Sequence, residues 1–234
     1  MRQIILDTET TGLNPKNGDR IIEVGCIELI QRRPTGNTFH RYVNPGRDSD
    51  PGALAVHGLT TGFLSDKPPF ADIAEALCAF VDGAEVLIHN AAFDQAFLDE
   101  ELARLARPVF ARHCASITDT LAMARELHPG KRNSLDALCE RYGVSNAHRT
   151  LHGALLDAEL LAEVYLAMTR GQESFVIDMA PQRWAGDSER LVDRSALRVV
   201  LADAEECALH EALLASIARE SRTQAVWLRA AAGS

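Results

Sequence analysis

Apolar positions run together in short segments before residue 45 and recur at helical spacing after residue 70. Residues 3–7 and 20–31 predict two strands, and residues 38–43 predict a third. Residues 32–37, which include Pro34 and Gly36, are expected to form the turn between the second strand and the third. Three consecutive strands with a short connection favour an antiparallel meander.

Helical patterns dominate the next hundred residues. Residues 44–70 are rich in Pro, Gly and Asp and predict a long loop with a short helix near residues 53–56. Apolar spacing predicts helices over 71–81, 92–105, 118–127, 134–142 and 152–168, and a short strand over 85–89. This order of elements predicts an α/β fold with a mixed central sheet flanked by helices.

The composition changes after Thr169, and three regions are predicted. Residues 1–170 form the first domain, and residues 171–193 are polar and predict a flexible linker. Residues 194–234 recover apolar content, with an extended run at 197–201 and a helix at 205–219. Because this tail is too small to bury a core of its own, we expect it to bind a partner.

Bulk composition limits the function classes. The chain has 234 residues and a net charge of −9, so counterion release alone would hold nucleic acid weakly, and tethering by a partner would help. Its five scattered cysteines lack a C-x-x-C pair, which predicts a reducing cytoplasm and argues against a zinc site. Neither a membrane span nor a signal peptide is predicted.

Two carboxylates, Asp7 and Glu9, stand two residues apart at the end of the first predicted strand. Since side chains along a strand alternate between its faces, both point to the same side. Like charges at the end of a buried strand are most easily kept when a cation lies between them. Oxygen ligands favour magnesium or manganese as that cation.

Further candidates follow from the chemistry, because hydrolysis of a phosphodiester usually takes two metal ions. Asp94 follows a strand at the start of a helix, where ordinary helix capping is the alternative role. Asp157 and His152 stand out in a mostly apolar segment. His152 is suited to act as a general base near neutral pH, and a hydrogen-bonded structural histidine is the alternative.

The ordered set Asp7, Glu9, Asp94, His152 and Asp157 resembles the DEDD exonuclease superfamily in its histidine-bearing branch, which has an RNase H-like fold. Longer segments are more specific. Residues 6–12 (LDTETTG), 89–94 (HNAAFD), 130–139 (GKRNSLDALC) and 149–158 (RTLHGALLDA) are similar to the epsilon proofreading subunits of bacterial DNA polymerase III. The resemblance covers residues 1–177 and resumes in the tail.

This resemblance implies a 3′–5′ exonuclease that removes mismatched 3′-terminal nucleotides from DNA and releases nucleoside 5′-monophosphates. The four carboxylates would bind two divalent cations, Mg²⁺ or Mn²⁺, and His152 would deprotonate the attacking water. Gly52 departs from the family pattern, which carries a substrate-contacting Glu there. Substrate contacts are implied at Asp7, Thr8, Glu9, Thr10, Leu13, His57, Asn90 and Asp157.

Two docking elements are implied beyond the exonuclease domain. Gln172, Phe175 and Ile177 are similar to peptides that bind the sliding clamp, with an ordinary linker as the alternative. The tail, with Trp227, is similar to the family tail that binds the polymerase (alpha) subunit. The implied location is the bacterial cytoplasm, at the replisome on the nucleoid.

Two other functions stay open at this point. One is a free-standing exonuclease of the same superfamily that acts on single-stranded DNA or RNA ends, and the linker and tail argue against it. The other is a non-catalytic scaffold that stabilises the polymerase, and the complete acidic set with His152 argues against that.

Overall fold

The computed structural model describes residues 1–146, 151–169 and 202–221. It divides the chain into two compact units, Met1–Ile177 and Asp178–Ser234. The predicted extended run at 197–201, the segment with Gln172, Phe175 and Ile177, and Trp227 all lie outside the described residues.

The first unit is built on a five-stranded mixed sheet. Its strands are β1 (Arg2–Thr10), β2 (Ile21–Ile30), β3 (Arg33–Tyr42), β4 (Glu85–Ile88) and β5 (Ser116–Asp119). They lie in the order β3-β2-β1-β4-β5. The first three strands pair antiparallel, whereas β4 is parallel to both β1 and β5. The predicted meander and mixed sheet are confirmed.

Seven α-helices of the described residues belong to the same unit, which also has two short 3-10 helices, Pro15–Asn17 and Phe110–Arg112. They are α1 (Pro51–His57), α2 (Thr61–Leu64), α3 (Phe70–Val81), α4 (Ala91–Arg104), α5 (Thr120–Leu127), α6 (Leu135–Tyr142) and α7 (Ala154–Met168). In the second unit, α8 (Ala204–Ser221) forms where residues 205–219 predict a helix. Among the helices described, none is long and apolar enough to cross a membrane.

The sheet buries apolar side chains on both faces, which explains the unbroken apolar run of β1. Ile4 and Leu6 pack on one side with α3 and α4, including Phe70 and Phe97. Ile5 points to the other side and packs with residues of α6 and α7. The core therefore has two layers, and the end of β1 emerges between them.

Two local predictions are wrong. The turn after β2 is not residues 32–37 but the pair Gln31–Arg32, whose φ angles are 49° and 63°. Pro34 instead lies in edge strand β3, where a missing backbone donor is tolerated. Residues 118–119 end a four-residue strand, β5, rather than open a helix, because Asp119 caps α5 with its side chain.

Candidate active site

A cleft of about 580 Å³ opens at the carboxyl ends of the parallel strands β1 and β4. In open α/β sheets, ligands bind in the crevice beyond these strand ends. The cleft is lined by residues from β1, α4, α5, α6 and α7 and from their connections: Asp7, Thr8, Glu9, His89, Asn90, Phe93, Asp94, Leu121, Arg125, Lys131, Asn133, Ser134, Leu135, Asp136, His152 and Asp157. All five residues of the acidic set with its histidine meet here.

A glycine of β2 sets how closely α7 approaches the sheet. Asp7 pairs across the ladder with Gly25 of β2. A Cβ atom at Gly25 would lie 2.3 Å from the carbonyl carbon of Ala154, so only glycine fits under the first turn of α7. Asp157 lies in that first turn and is 3% exposed. The close contact therefore brings Asp157 to the end of β1.

Glu9, His152 and Asp157 form a compact group of ligands. One ligand atom of each lies within 4.8 Å of those of the other two. Nδ1 of the exposed His152 is 3.2 Å from Oδ2 of Asp157, and both carboxylates are buried. The backbone N–H of His152 donates to the carbonyl of Val56 at 3.1 Å, so α1 helps to hold this segment. Buried carboxylates beside an imidazole are a donor set that fits a divalent metal ion.

Asp94 comes to the site from α4. Its Oδ1 accepts hydrogen bonds from the backbone N–H of Thr8 at 3.1 Å and from Thr8 Oγ1 at 2.6 Å. Burial raises the pKa of Asp94, while the donors from Thr8 act in the opposite direction. Asp94 is therefore tied to β1 across the fold, beyond the capping role that its place in the helix suggested.

The predicted substrate contacts divide into two groups. Thr8 and Asn90 line the cleft. Thr10, Leu13 and His57 do not: Thr10 donates to the carbonyl of Gly12, and Leu13 is 83% exposed. Their predicted contacts stay predictions.

His57 is 3% exposed, and its Nδ1 accepts from the N–H of Leu59 at 2.9 Å. Its Nε2 is buried with no hydrogen-bond partner among the described residues. Burial lowers the pKa of His57, which favours the neutral ring.

Most cleft residues of α5 and of the connection to α6 are not among the site residues predicted from the sequence. His89 links this part to β4: its Nε2 donates to the carbonyl of Asn133 at 3.0 Å, and its Nδ1 lies 3.1 Å from Thr120 Oγ1. Burial lowers the pKa of His89 as well. The available signal was segment 130–139, where several polar residues follow a glycine.

The fold and the acidic cleft define a nuclease, and the family model described as "Exonuclease" matches residues 4–165. The chain belongs to this exonuclease family and, within it, to the epsilon subunits of DNA polymerase III. It is 51% identical to DNA polymerase III subunit epsilon of Escherichia coli (strain K12), over 91% of this chain and 92% of that protein. Identity to the corresponding subunit of Haemophilus influenzae is 46%, over 97% of this chain and 94% of that protein.

Solved exonuclease structures share this fold. Exonuclease X in complex with 5′ overhanging duplex DNA superposes with a TM-score of 0.57 at 25% identity, covering 73% of this chain and 92% of that one. The zinc-bound form of an Escherichia coli exonuclease I complex with single-stranded DNA gives a TM-score of 0.65 at 21% identity, covering 76% of this chain and 42% of that one. The predicted family, the RNase H-like fold and the exonuclease activity are confirmed, and enzymes of this family depend on divalent metal ions.

Proposed function

We propose that the cleft at the end of β1 removes mismatched nucleotides from the 3′ end of DNA for the replicative polymerase. The assignment of this activity to particular residues rests on one observation. Glu9, His152 and Asp157, distant in sequence, bring ligand atoms within 4.8 Å of one another, and Asp7 and Asp94 line the same cleft. We assign metal binding to the four carboxylates and general-base catalysis to His152.

His152 takes a proton from the attacking water. Nδ1 of His152 faces Asp157 and donates its hydrogen to that carboxylate. Nε2 is then the nitrogen that accepts the proton of water. The water oxygen then attacks phosphorus, the bond from phosphorus to the 3′ oxygen of the preceding nucleotide breaks, and that oxygen takes up a proton. The products are a nucleoside 5′-monophosphate and a strand one nucleotide shorter.

Two divalent cations, Mg²⁺ or Mn²⁺, would be held by Asp7, Glu9, Asp94 and Asp157. When bound, they would supply activation of water and stabilisation of charge on the phosphate and the leaving oxygen. Thr8 supports this role, because its two donors fix one oxygen of Asp94.

The relatives named as polymerase subunits support a polymerase partner for this chain. We assign this contact to residues 194–234, with Trp227 as an anchor, and we assign binding of the sliding clamp to Gln172, Phe175 and Ile177. Tethering suits a chain with a net charge of −9, whose own attraction for DNA is weak. The proposed place of action is the replisome on the nucleoid.

The residue assignment is tested by metal titration of the full chain on a primer with a mismatched 3′ end. We expect activity to vanish in EDTA and to return with Mg²⁺ or Mn²⁺. Each of the four carboxylate substitutions should abolish activity and weaken Mn²⁺ binding, measured by calorimetry. These are Asp7→Ala, Glu9→Ala, Asp94→Ala and Asp157→Ala. Glu126→Ala on α5 lies outside the cleft and serves as the matched acidic control. If one of these variants kept both wild-type Mn²⁺ affinity and wild-type activity, the substituted carboxylate would not be part of the metal site.

The docking assignment is tested by capture of the polymerase subunit with the full chain and with a chain ending at residue 180. We expect the truncated chain to lose capture and to keep exonuclease activity on a free primer. Equal capture by both chains would contradict the role of the tail.

A further inference from the structure

The wall of the cleft formed by α5 and the connection to α6 carries two cations. Arg125 lies on α5 and Lys131 on the connection, both are exposed, and both line the cleft. They are the only Lys or Arg side chains among its described lining residues, beside five carboxylates. Within the part of the chain that the structure describes, neither of them forms an ion pair.

Lys131 stands on a segment that buried polar contacts hold in place. Asn133 is 7% exposed, and its Nδ2 donates to the carbonyls of His128 at 3.3 Å and Lys131 at 3.1 Å. Its Oδ1 accepts from Arg141 at 2.9 Å, and its backbone carbonyl accepts from His89. The backbone beside Lys131 is therefore fixed from both α6 and β4.

Arg125 stands on a helix that is tied to the same strand end. Asp119 caps α5, because its Oδ1 accepts from the N–H of Leu121 at 2.8 Å and of Ala122 at 3.3 Å. The same oxygen accepts from the N–H of Asn90 at 3.1 Å, at the start of α4. One carboxylate thus joins the helix that carries Arg125 to the helix that carries Asp94.

A nucleic-acid strand that enters this cleft brings more than one phosphate. The carboxylates would hold the metal ions that take the scissile phosphate, but the carboxylates and the net charge of −9 repel the phosphates that follow it. Positioned Arg and Lys side chains commonly contact such phosphates and fix the register of the strand without reading its sequence. Arg125 and Lys131, which form no ion pair within the described residues and stand on a hydrogen-bonded wall of the same cleft, meet this requirement.

We propose that Arg125 and Lys131 form a phosphate-binding subsite for the backbone of single-stranded DNA upstream of the scissile phosphate. This inference rests on the proposed function, and it adds the residues that hold the strand rather than those that cleave it. The subsite takes a phosphodiester chain of any base sequence.

The test compares two substrates of the full chain in Mg²⁺. One is an oligonucleotide of eight thymidines, and the other is 5′-p-nitrophenyl thymidine monophosphate, which has no upstream phosphates. For Arg125→Gln/Lys131→Gln we expect kcat/KM on the oligonucleotide to fall at least tenfold more than kcat/KM on the ester. The matched control is Arg104→Gln, which removes an exposed arginine outside the cleft.

Salt dependence gives a second readout. Each lost phosphate contact on a single strand lowers the slope of log affinity against log salt by about 0.7, so two contacts lower it by about 1.4. Between 50 and 200 mM salt, a fourfold change, KM for the oligonucleotide should rise about sevenfold more in the wild type than in the double variant.

Each outcome has one meaning. Oligonucleotide KM and salt slope equal to those of the wild type would overturn the subsite. Parallel losses on both substrates would also overturn it, because the side chains would then act on the cleavage site itself. A wild type that hydrolyses neither substrate would overturn the proposed function instead.

Discussion

Gly25→Ala is the substitution that most sharply probes how the fold builds the site. The added Cβ would lie 2.3 Å from the carbonyl carbon of Ala154 and 2.3 Å from the amide nitrogen of Leu155. Both contacts are with backbone, so no side chain can rotate away. The first turn of α7 must move, and it carries Asp157.

The size of this movement follows from the contact distance. Ordinary contact begins at 3.4 Å, so the backbone of α7 must shift by 3.4 − 2.3, or about 1.1 Å. Overpacking of this kind costs about 1–3 kcal/mol, and each kcal/mol lowers the Tm of a chain this size by about 2–4 °C. A misplacement of about 1 Å in an active site lowers the rate about 100-fold.

The assay measures kcat on a mismatched primer at least 15 °C below the Tm of the variant, where the variant is folded by circular dichroism. Gly62→Ala in α2 is the matched control, because the Cβ added there would have Oγ1 of Thr60 as its nearest neighbour, at 4.0 Å. This variant should keep wild-type activity. A Gly25→Ala enzyme with wild-type kcat and Tm would refute the argument that Gly25 sets the position of Asp157.

Three other substitutions test separate contacts. Thr8→Val removes the hydroxyl that donates to Asp94 at 2.6 Å, so the pKa of Asp94 should rise further. Because such a hydrogen bond is worth about 1.5 kcal/mol, kcat should fall about tenfold. Thr8→Ser keeps the hydroxyl and should retain the wild-type kcat. Glu101→Gln weakens the pair that this buried carboxylate forms with Arg20 at 2.6 and 2.7 Å. We expect the free energy of unfolding, measured in urea, to fall by about 2 kcal/mol. This is less than the cost of breaking a fully buried ion pair, because Arg20 is partly exposed. An unchanged urea midpoint would contradict this expectation. His152→Ala should lower kcat about 10²–10⁴-fold. It should weaken Mn²⁺ binding less than Asp157→Ala does. If His152→Ala weakened Mn²⁺ binding more than Asp157→Ala, His152 would be chiefly a metal ligand.

The acidic set was predictable because each member interrupts an apolar pattern. Asp7 and Glu9 end a buried strand, and Asp157 interrupts an apolar helix whose neighbours pack under the sheet. Their convergence was not readable from spacing, because it depends on Gly25 letting α7 approach β2.

Short elements escaped prediction for a different reason. The four residues of β5 show no resolvable period, and their strand is fixed by pairing with β4. The turn Gln31–Arg32 contains no glycine, proline or asparagine, so turn chemistry pointed to Pro34 and Gly36 instead.

For the cleft wall formed by α5 and the connection to α6, segment 130–139 was the signal, and it assigned no role to single residues. Arg125 and Lys131 are exposed cations in ordinary surroundings along the sequence, and only the fold brings them to the carboxylates. Asn133 lies in that segment, but only the structure shows that its contacts fix the wall.

We expect the cleft at the end of β1 to digest DNA from its 3′ end with the help of Asp7. The most direct test follows a 5′-labelled primer, mismatched at its 3′ end on a template, in Mg²⁺ or Mn²⁺. We predict stepwise shortening from the 3′ end with release of nucleoside 5′-monophosphate, and a full-length primer with Asp7→Ala. A primer left intact by the wild type in both metals, or shortened equally by Asp7→Ala, would contradict this role of the cleft.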